Sequence, residues 1–170
     1  MKAPPTGARG FSVAELLIAV VISGAMLLVG VAESQRALGR QQIEHSLRRI
    51  LIGLEQGREA ARRSGRPCAL SLGGQGWQAP ASGTLPACAG VALSLGEGLE
   101  PGPLRRRLSL EHNLPPLVRF SSNGLVLDGG TVLISAEGDS LVRCLVMALP
   151  LGVVRLGQHS EAGCRPDTAL

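Results

Sequence analysis

The sequence predicts an α+β protein: one long N-terminal helix, then a turn-rich domain of antiparallel strands. Three observations predict it. From Phe11 to Ala32 the chain is apolar or small except for Ser12, Ser23 and Glu15. From Val31 to Leu54 apolar residues recur at spacings of mainly three, four and five, the pattern of one helix face. After Arg66 the period shifts towards two, and Gly and Pro become frequent.

Composition limits what this chain can build. Of 170 residues, a membrane span and its leader leave roughly one small domain. Apolar residues make up 45% but aromatics only 2%, with no Tyr, so a core must come from Leu, Val, Ile and Ala. The net charge is +4, but Lys2 and Arg9 sit in the leader, and without them the side chains give 4 − 2 = +2. The basic balance is therefore weak evidence for nucleic-acid binding.

Residues 1–10 form a positive leader. Pro4 and Pro5 break a helix, and Gly7 and Gly10 weaken one. Lys2 and Arg9, with no acid, place this end in the cytoplasm. An ordinary secretory signal is cut after its apolar segment. Here the small residue, Gly10, precedes that segment, so a cut after Gly10 keeps the apolar helix as the new N-terminus.

Residues 11–32 read as a transmembrane helix. A run of this length gives ~33 Å of helix, enough to cross a bilayer core of ~30 Å. Glu15 is its one charge. At membrane depth a carboxylate costs about 2.5–3.5 kcal/mol, so it reads as a functional residue with a partner. A cut after Gly10 would create an α-amine on Phe11. Amine and carboxylate attract strongly at low dielectric. Glu15 can pair with its own terminus or with that of a neighbouring subunit.

Residues 33–65 extend the helix. Leu38, Ile43, Leu47, Ile50, Leu51 and Leu54 make the stripe, and Glu44–Arg48 and Glu59–Arg63 are favourable i,i+4 pairs. Gly65 suits the position after the helix and Pro67 stops it. Gly24, Gly30, Gly39, Gly53 and Gly57 weaken the helix and make a kink plausible. Gly53 and Gly57, lying outside the apolar run, read as a close-packing or flexible spot rather than a dimer motif.

Residues 66–170 carry the strands. Cys68–Leu72 turns through Gly73–Gly76 into Trp77–Ala79. A loop from Pro80 to Pro103 contains a weak strand at Val91–Leu95, and Arg105–Leu110 is a further strand. Val118–Phe120 and Leu125–Leu127 flank Asn123-Gly124, a hairpin signal. Strands follow at Thr131–Ser135, Leu141–Leu149 and Val153–Leu156, and the polar tail from Gly157 is loosely held except at Cys164. Cys68, Cys88, Cys144 and Cys164 all follow the span, and no CxxC occurs, so they read as two disulfides in an oxidising compartment. Of three connectivities, Cys68–Cys88 with Cys144–Cys164 is preferred, since each closes a local loop of about twenty residues.

Gly10-Phe11-Ser12-Val13-Ala14-Glu15-Leu16-Leu17 resembles the N-terminal signature of type IV prepilins and type II secretion pseudopilins. The resemblance implies cleavage after Gly10 by a prepilin peptidase, N-methylation of Phe11 by the same enzyme, and an assembly role for Glu15 with the neighbour's terminus. Val13-Ala14-Glu15 departs conservatively from the commoner Leu-Ile/Val-Glu. The segment Glu59–Pro67 and Phe120-Ser121-Ser122-Asn123-Gly124 are similar to the GspH/FimT-type minor pseudopilins. That implies a pilin-like fold, with a β-sandwich-like domain packed on the second half of the helix. It further implies other pilins or pseudopilins, an inner-membrane assembly platform and membrane lipid as partners. The implied location is the bacterial inner membrane, with the globular domain periplasmic or extracellular, then a pilus or pseudopilus.

No P-loop, GxGxxG, HExxH or GxSxG occurs, and His45, His112 and His159 stand apart in polar settings. The sequence therefore implies no enzyme, no catalytic residue, no metal and no cofactor. Arg105-Arg106-Arg107 could contact DNA phosphates. Some FimT-like minor pilins bind DNA in natural transformation, which makes a DNA-binding competence pilin the alternative function. A charge-protected edge strand explains the three arginines equally well, and few aromatics leave little for stacking on single strands.

Overall fold

The computed structural model describes residues 12–91, 93–95, 107–149 and 152–167; the side chains of residues 27–33, 35 and 36 are not included. The leader, Gly10, Phe11, Arg105 and Arg106 lie outside these residues, as do residues 92 and 96–104. The chain divides into two compact units, Met1–Ala37 and Leu38–Leu170.

The first unit contains the beginning of helix α1, which runs Val13–Ser64. Its apolar side chains Val13, Leu16, Leu17, Ile18, Val20, Val21, Ile22 and Met26 are all exposed. Among the described residues no helix is long and apolar enough to cross a membrane. The predicted span of residues 11–32 also draws on Phe11 and on side chains 27–32, which lie outside those described.

The second unit packs the rest of α1 against two antiparallel sheets. Strands are β1 (Cys68–Gly73), β2 (Gly76–Gln78), β3 (Leu93–Ser94), β4 (Leu108–His112), β5 (Val118–Phe120), β6 (Gly130–Ala136), β7 (Val142–Ala148), β8 (Val153–Ser160) and β9 (Gly163–Pro166). One sheet has the order β3-β2-β1-β5 and the other β4-β6-β7-β8-β9. The helix contributes Ile43, Leu47, Ile50, Leu54 and Ala61, each at most 1% exposed. Their i, i+3, i+4, i+7 spacing puts them on one face. Leu70, Val118, Phe120, Val132, Ile134 and Leu145 meet them from the strands.

Two glycines decide how closely helix and sheet approach. A Cβ at Gly53 would lie 2.0 Å from Cδ1 of Trp77, and one at Gly57 would lie 2.7 Å from Cζ of Phe120. Trp77 and Phe120 are 3% and 0% exposed. Trp77 Nε1 donates to the Ile50 carbonyl at 2.8 Å, so its one polar group is satisfied. The Gly53–Gly57 pair is thus a seat for two aromatic rings, and α1 is assigned as one helix through all five of its glycines. The helix ends as its sequence suggests: Gly65 has φ of 62°, and its N–H donates to the Arg62 carbonyl at 3.3 Å.

The Asn123-Gly124 hairpin forms, but its return arm is only a bridge between Phe120 and Val126. Gly124 N–H donates to the Ser121 carbonyl at 2.8 Å. Its φ is 77°, and a Cβ there would meet the Arg58 carbonyl and the Arg62 side chain. Asp128 closes the base, accepting from Arg119 Nε at 2.9 Å, Nη2 at 2.8 Å and the Arg119 backbone N–H at 2.8 Å.

Three expectations are corrected. The tail from Gly157 is not loose: β8 continues to Ser160 and β9 pairs with it, because Gly157 carries no side chain and lets the Arg165 carbonyl come close. Glu44 does not serve Arg48 but reaches Arg143 of β7 at 3.2 Å, a less exposed partner. The strand placed at Arg105–Leu110 lies further on, at Leu108–His112, paired along its whole length with β6.

Gly53→Ala or Gly57→Ala is expected to destabilise the protein by about 1–3 kcal/mol through overpacking, while Gly74→Ala, with nothing within 4 Å, stays near wild type. Denaturant unfolding of the full chain in detergent checks this. The Arg119 guanidinium holds the Asp128 carboxyl below its ordinary value of 3.8. The stabilisation is therefore present above that value and is lost as pH falls through the lowered pKa. Asp128→Asn is expected to cost about 1 kcal/mol at neutral pH and nothing at a pH where the wild-type carboxyl is protonated, read as convergence of the two unfolding midpoints.

Candidate functional site

The helix start is the first candidate. Ser12 precedes α1, and its Oγ accepts the Glu15 N–H at 3.2 Å. Glu15 Oε2 in turn accepts the Ser12 N–H at 2.9 Å. This reciprocal pair satisfies two of the donors that every helix start leaves open. The sequence marks Glu15 as a charge in an apolar run with an assembly role, not as a cap. The signal for its second role is Ser12-Val13-Ala14-Glu15, a Ser-x-x-Glu capping box. Glu15 thereby points back along the chain to Ser12. Gly10 and Phe11 lie outside the described residues.

The apolar side chains that follow form no stripe. Val13, Leu16, Leu17, Ile18, Val20, Val21, Ile22 and Met26 are 51–78% exposed and point all around the helix. A helix apolar on every side is normally covered by lipid or by other helices. Among the described residues of its own unit, nothing covers it.

The second unit supplies rigid attachments rather than a cleft. Arg143, its side chain 11% exposed, holds Asp167 beyond β9 at 2.7 Å and Glu44 of α1 at 3.2 Å. Arg58 binds the Gly152 carbonyl and pairs with Glu55 at 2.9 Å. The disulfides are Cys68–Cys88 and Cys144–Cys164, the local pairing that loop length favours. Cys68–Cys88 ties β1 to the loop after β2, and Cys144–Cys164 ties β7 to β9 across β8.

Of the arginine run, Arg107 is exposed just before β4, the edge strand of the larger sheet. Arg105 and Arg106 lie outside the described residues. His45, His112 and His159 sit on α1, β4 and β8, in separate elements. Among the described residues no group of three or more His, Cys, Asp or Glu could hold a metal ion. One open hollow of about 350 Å³ runs along α1 past Leu51, Ile52, Gln56 and Glu59. Another of about 230 Å³ lies over Glu111, Asn113 and Thr131.

Comparison with known proteins gives a family. The model described as Type II transport protein GspH matches residues 46–150. No curated protein and no solved structure matches the chain. The matched stretch opens on the buried helix face and contains both glycines of the aromatic seat, Trp77, the Asn-Gly hairpin and β4 to β7. It covers more than half of the sequence, and the chain therefore belongs to the GspH family of type II secretion pseudopilins.

Proposed function

We propose that this chain is a minor pilin or pseudopilin, a structural subunit assembled into a type II secretion pseudopilus or a type IV pilus. One observation carries the reading. The first turns of α1 expose apolar side chains on every face, behind a capped start that holds a single carboxylate. Such a helix needs an apolar surrounding that other subunits or lipid supply. Family membership supports pseudopilin partners.

In this reading residues 1–10 are a cytoplasmic leader and residues 11–32 a single membrane span. Residues 33–65 extend the helix, and residues 66–170 form the periplasmic or extracellular domain. Prepilin peptidase cuts between Gly10 and Phe11 and methylates Phe11. Glu15 then meets the terminal amine of a neighbouring subunit. In the apolar interior of a filament either charge alone is expensive, and pairing offsets that cost. Glu15 exchanges its bond to the Ser12 N–H for an ionic partner of opposite sign, which is the stronger contact at low dielectric. The inner-membrane assembly platform drives the insertion, and the chain itself carries out no chemical step.

Mass spectrometry of the mature protein from cells with the prepilin peptidase is expected to show an N-terminus at Phe11, with one added methyl group. An intact Met1, or a cut beyond Ala32, would contradict the reading. Glu15→Ala is expected to leave membrane insertion and cleavage at Gly10 largely intact but to remove the subunit from purified filaments. Immunoblots of membrane and filament fractions read both. Normal incorporation of this variant would show that the carboxylate is merely tolerated.

A further inference from the structure

The two disulfides are alike in sequence and unlike in setting. Both join cysteines twenty positions apart. Loop-closure entropy therefore treats them equally, and any difference in behaviour comes from packing and access. Cys68 and Cys88 are 5% and 3% exposed and belong to the main core cluster. Backbone bonds bracket them, Ala69 N–H to the Pro86 carbonyl at 2.9 Å and Cys88 N–H to the Ala69 carbonyl at 3.1 Å. Cys144 is fully buried, but its partner Cys164 is half-buried on β9, a four-residue edge strand.

Apolar anchoring of the β8–β9 hairpin lies in the first half of β8, where the partly buried Val154 and Leu156 pack against the core. Gly157 is the one fully buried residue of β8, and β9 has none. The β7–β8 ladder stops at the pair Arg143–Gln158. Beyond it, His159 to Asp167 are joined to the remaining sheet through the pairing of β9 with Gly157 and Gln158, the Cys144–Cys164 bond, the Arg143–Asp167 ion pair and the Asp167 N–H to the Leu156 carbonyl. The hairpin also doubles back tightly, since a Cβ on Gly157 would lie 2.0 Å from the Arg165 carbonyl oxygen. Strands held this way open locally at lower free energy than core strands.

We propose that Cys144–Cys164 is a thiol-exchange site that latches the C-terminal hairpin, opened by a dithiol while Cys68–Cys88 and the core stay intact. One thiolate of the dithiol attacks Sγ of Cys164, the reachable sulfur. The S–S bond breaks, its electron pair goes to Sγ of Cys144, and that sulfur takes up a proton. The second thiolate of the dithiol attacks the mixed disulfide and expels Cys164 as a thiol. Two electrons pass from the dithiol, which leaves as a cyclic disulfide. Opening removes the covalent tie between β7 and β9 and leaves β9 held by its ladder with β8, the Arg143–Asp167 ion pair and the Asp167 N–H to Leu156 carbonyl bond, so the hairpin opens locally more often. In an oxidising compartment the latch stays shut. The inference is independent of the assembly reading.

The test is limited reduction of the full-length protein in detergent with dithiothreitol, followed by alkylation and mass mapping. Cys144 and Cys164 are expected to label about tenfold faster than Cys68 and Cys88. Cutting after Glu161, in the exposed β8–β9 turn, by a glutamate-specific protease should rise in step, with the far-ultraviolet circular dichroism nearly unchanged. Cys144→Ser/Cys164→Ser should show the same faster cutting without reductant. Labelling of all four cysteines together, labelling of Cys68 and Cys88 first, or loss of circular dichroism at the same dithiothreitol concentration would overturn the proposal. If the double variant does not fold, the labelling order in the wild type decides alone.

Discussion

Helix and sheet in the second unit meet through two absent side chains. Gly53 and Gly57 lie one turn apart, and the rings of Trp77 and Phe120 occupy the space that two Cβ atoms would fill. Each glycine costs the helix about 0.8–1.0 kcal/mol relative to alanine. Burying a Phe-sized side chain returns about 1.5–3 kcal/mol, and Trp77 adds a satisfied indole N–H. The exchange favours the seat. Phe11 apart, these are the chain's only aromatic residues, so a core otherwise made of small aliphatic groups is keyed at two points. β1 carries Leu70 against the same helix turn, and the hairpin places Gly124 against Arg58, the residue after Gly57, and Arg62, about one turn on.

That keying separates two uses of one helix. From Ile43 to Ala61 the apolar face is used up by the chain's own strands. From Val13 to Met26 the apolar side chains are exposed. On the proposed reading, the second unit is complete by itself and the start of the helix is reserved for lipid and neighbouring subunits. Glu15 is suited to both situations, because a carboxylate that caps its own helix can exchange that bond for a stronger ionic one.

Much of this was legible in the sequence, for physical reasons. Gly65 and Pro67 announce the helix end because only an αL-tolerant residue and a missing N–H fit there. Asn123-Gly124 announces a turn for the same kind of reason. The helix stripe at Ile43, Leu47, Ile50 and Leu54 follows from the 3.6-residue period. Local patterning could not show pairings that depend on the third dimension. The seat joins Gly53 to Trp77, twenty-four positions away, and nothing near either residue specifies the other. Glu44 favours Arg48 by spacing, yet Arg143 arrives from β7 in a less exposed position. The polarity of His159 to Asp167 suggested a loose tail, whereas β-pairing, one disulfide and one ion pair hold it without apolar burial. The capping box at Ser12 and Glu15 was readable but masked by the greater oddity of a charge in an apolar run.

Native-state hydrogen exchange of the full chain in detergent tests the central claim most directly. If the seat unites helix and sheets, the amides of α1 from Ile43 to Ala61 should exchange as slowly as those of β1, β5 and β6, and all should speed up together when Gly57 is replaced by Ala. Exchange of the helix at its own faster rate, with the strands still protected and unmoved by that substitution, would contradict it.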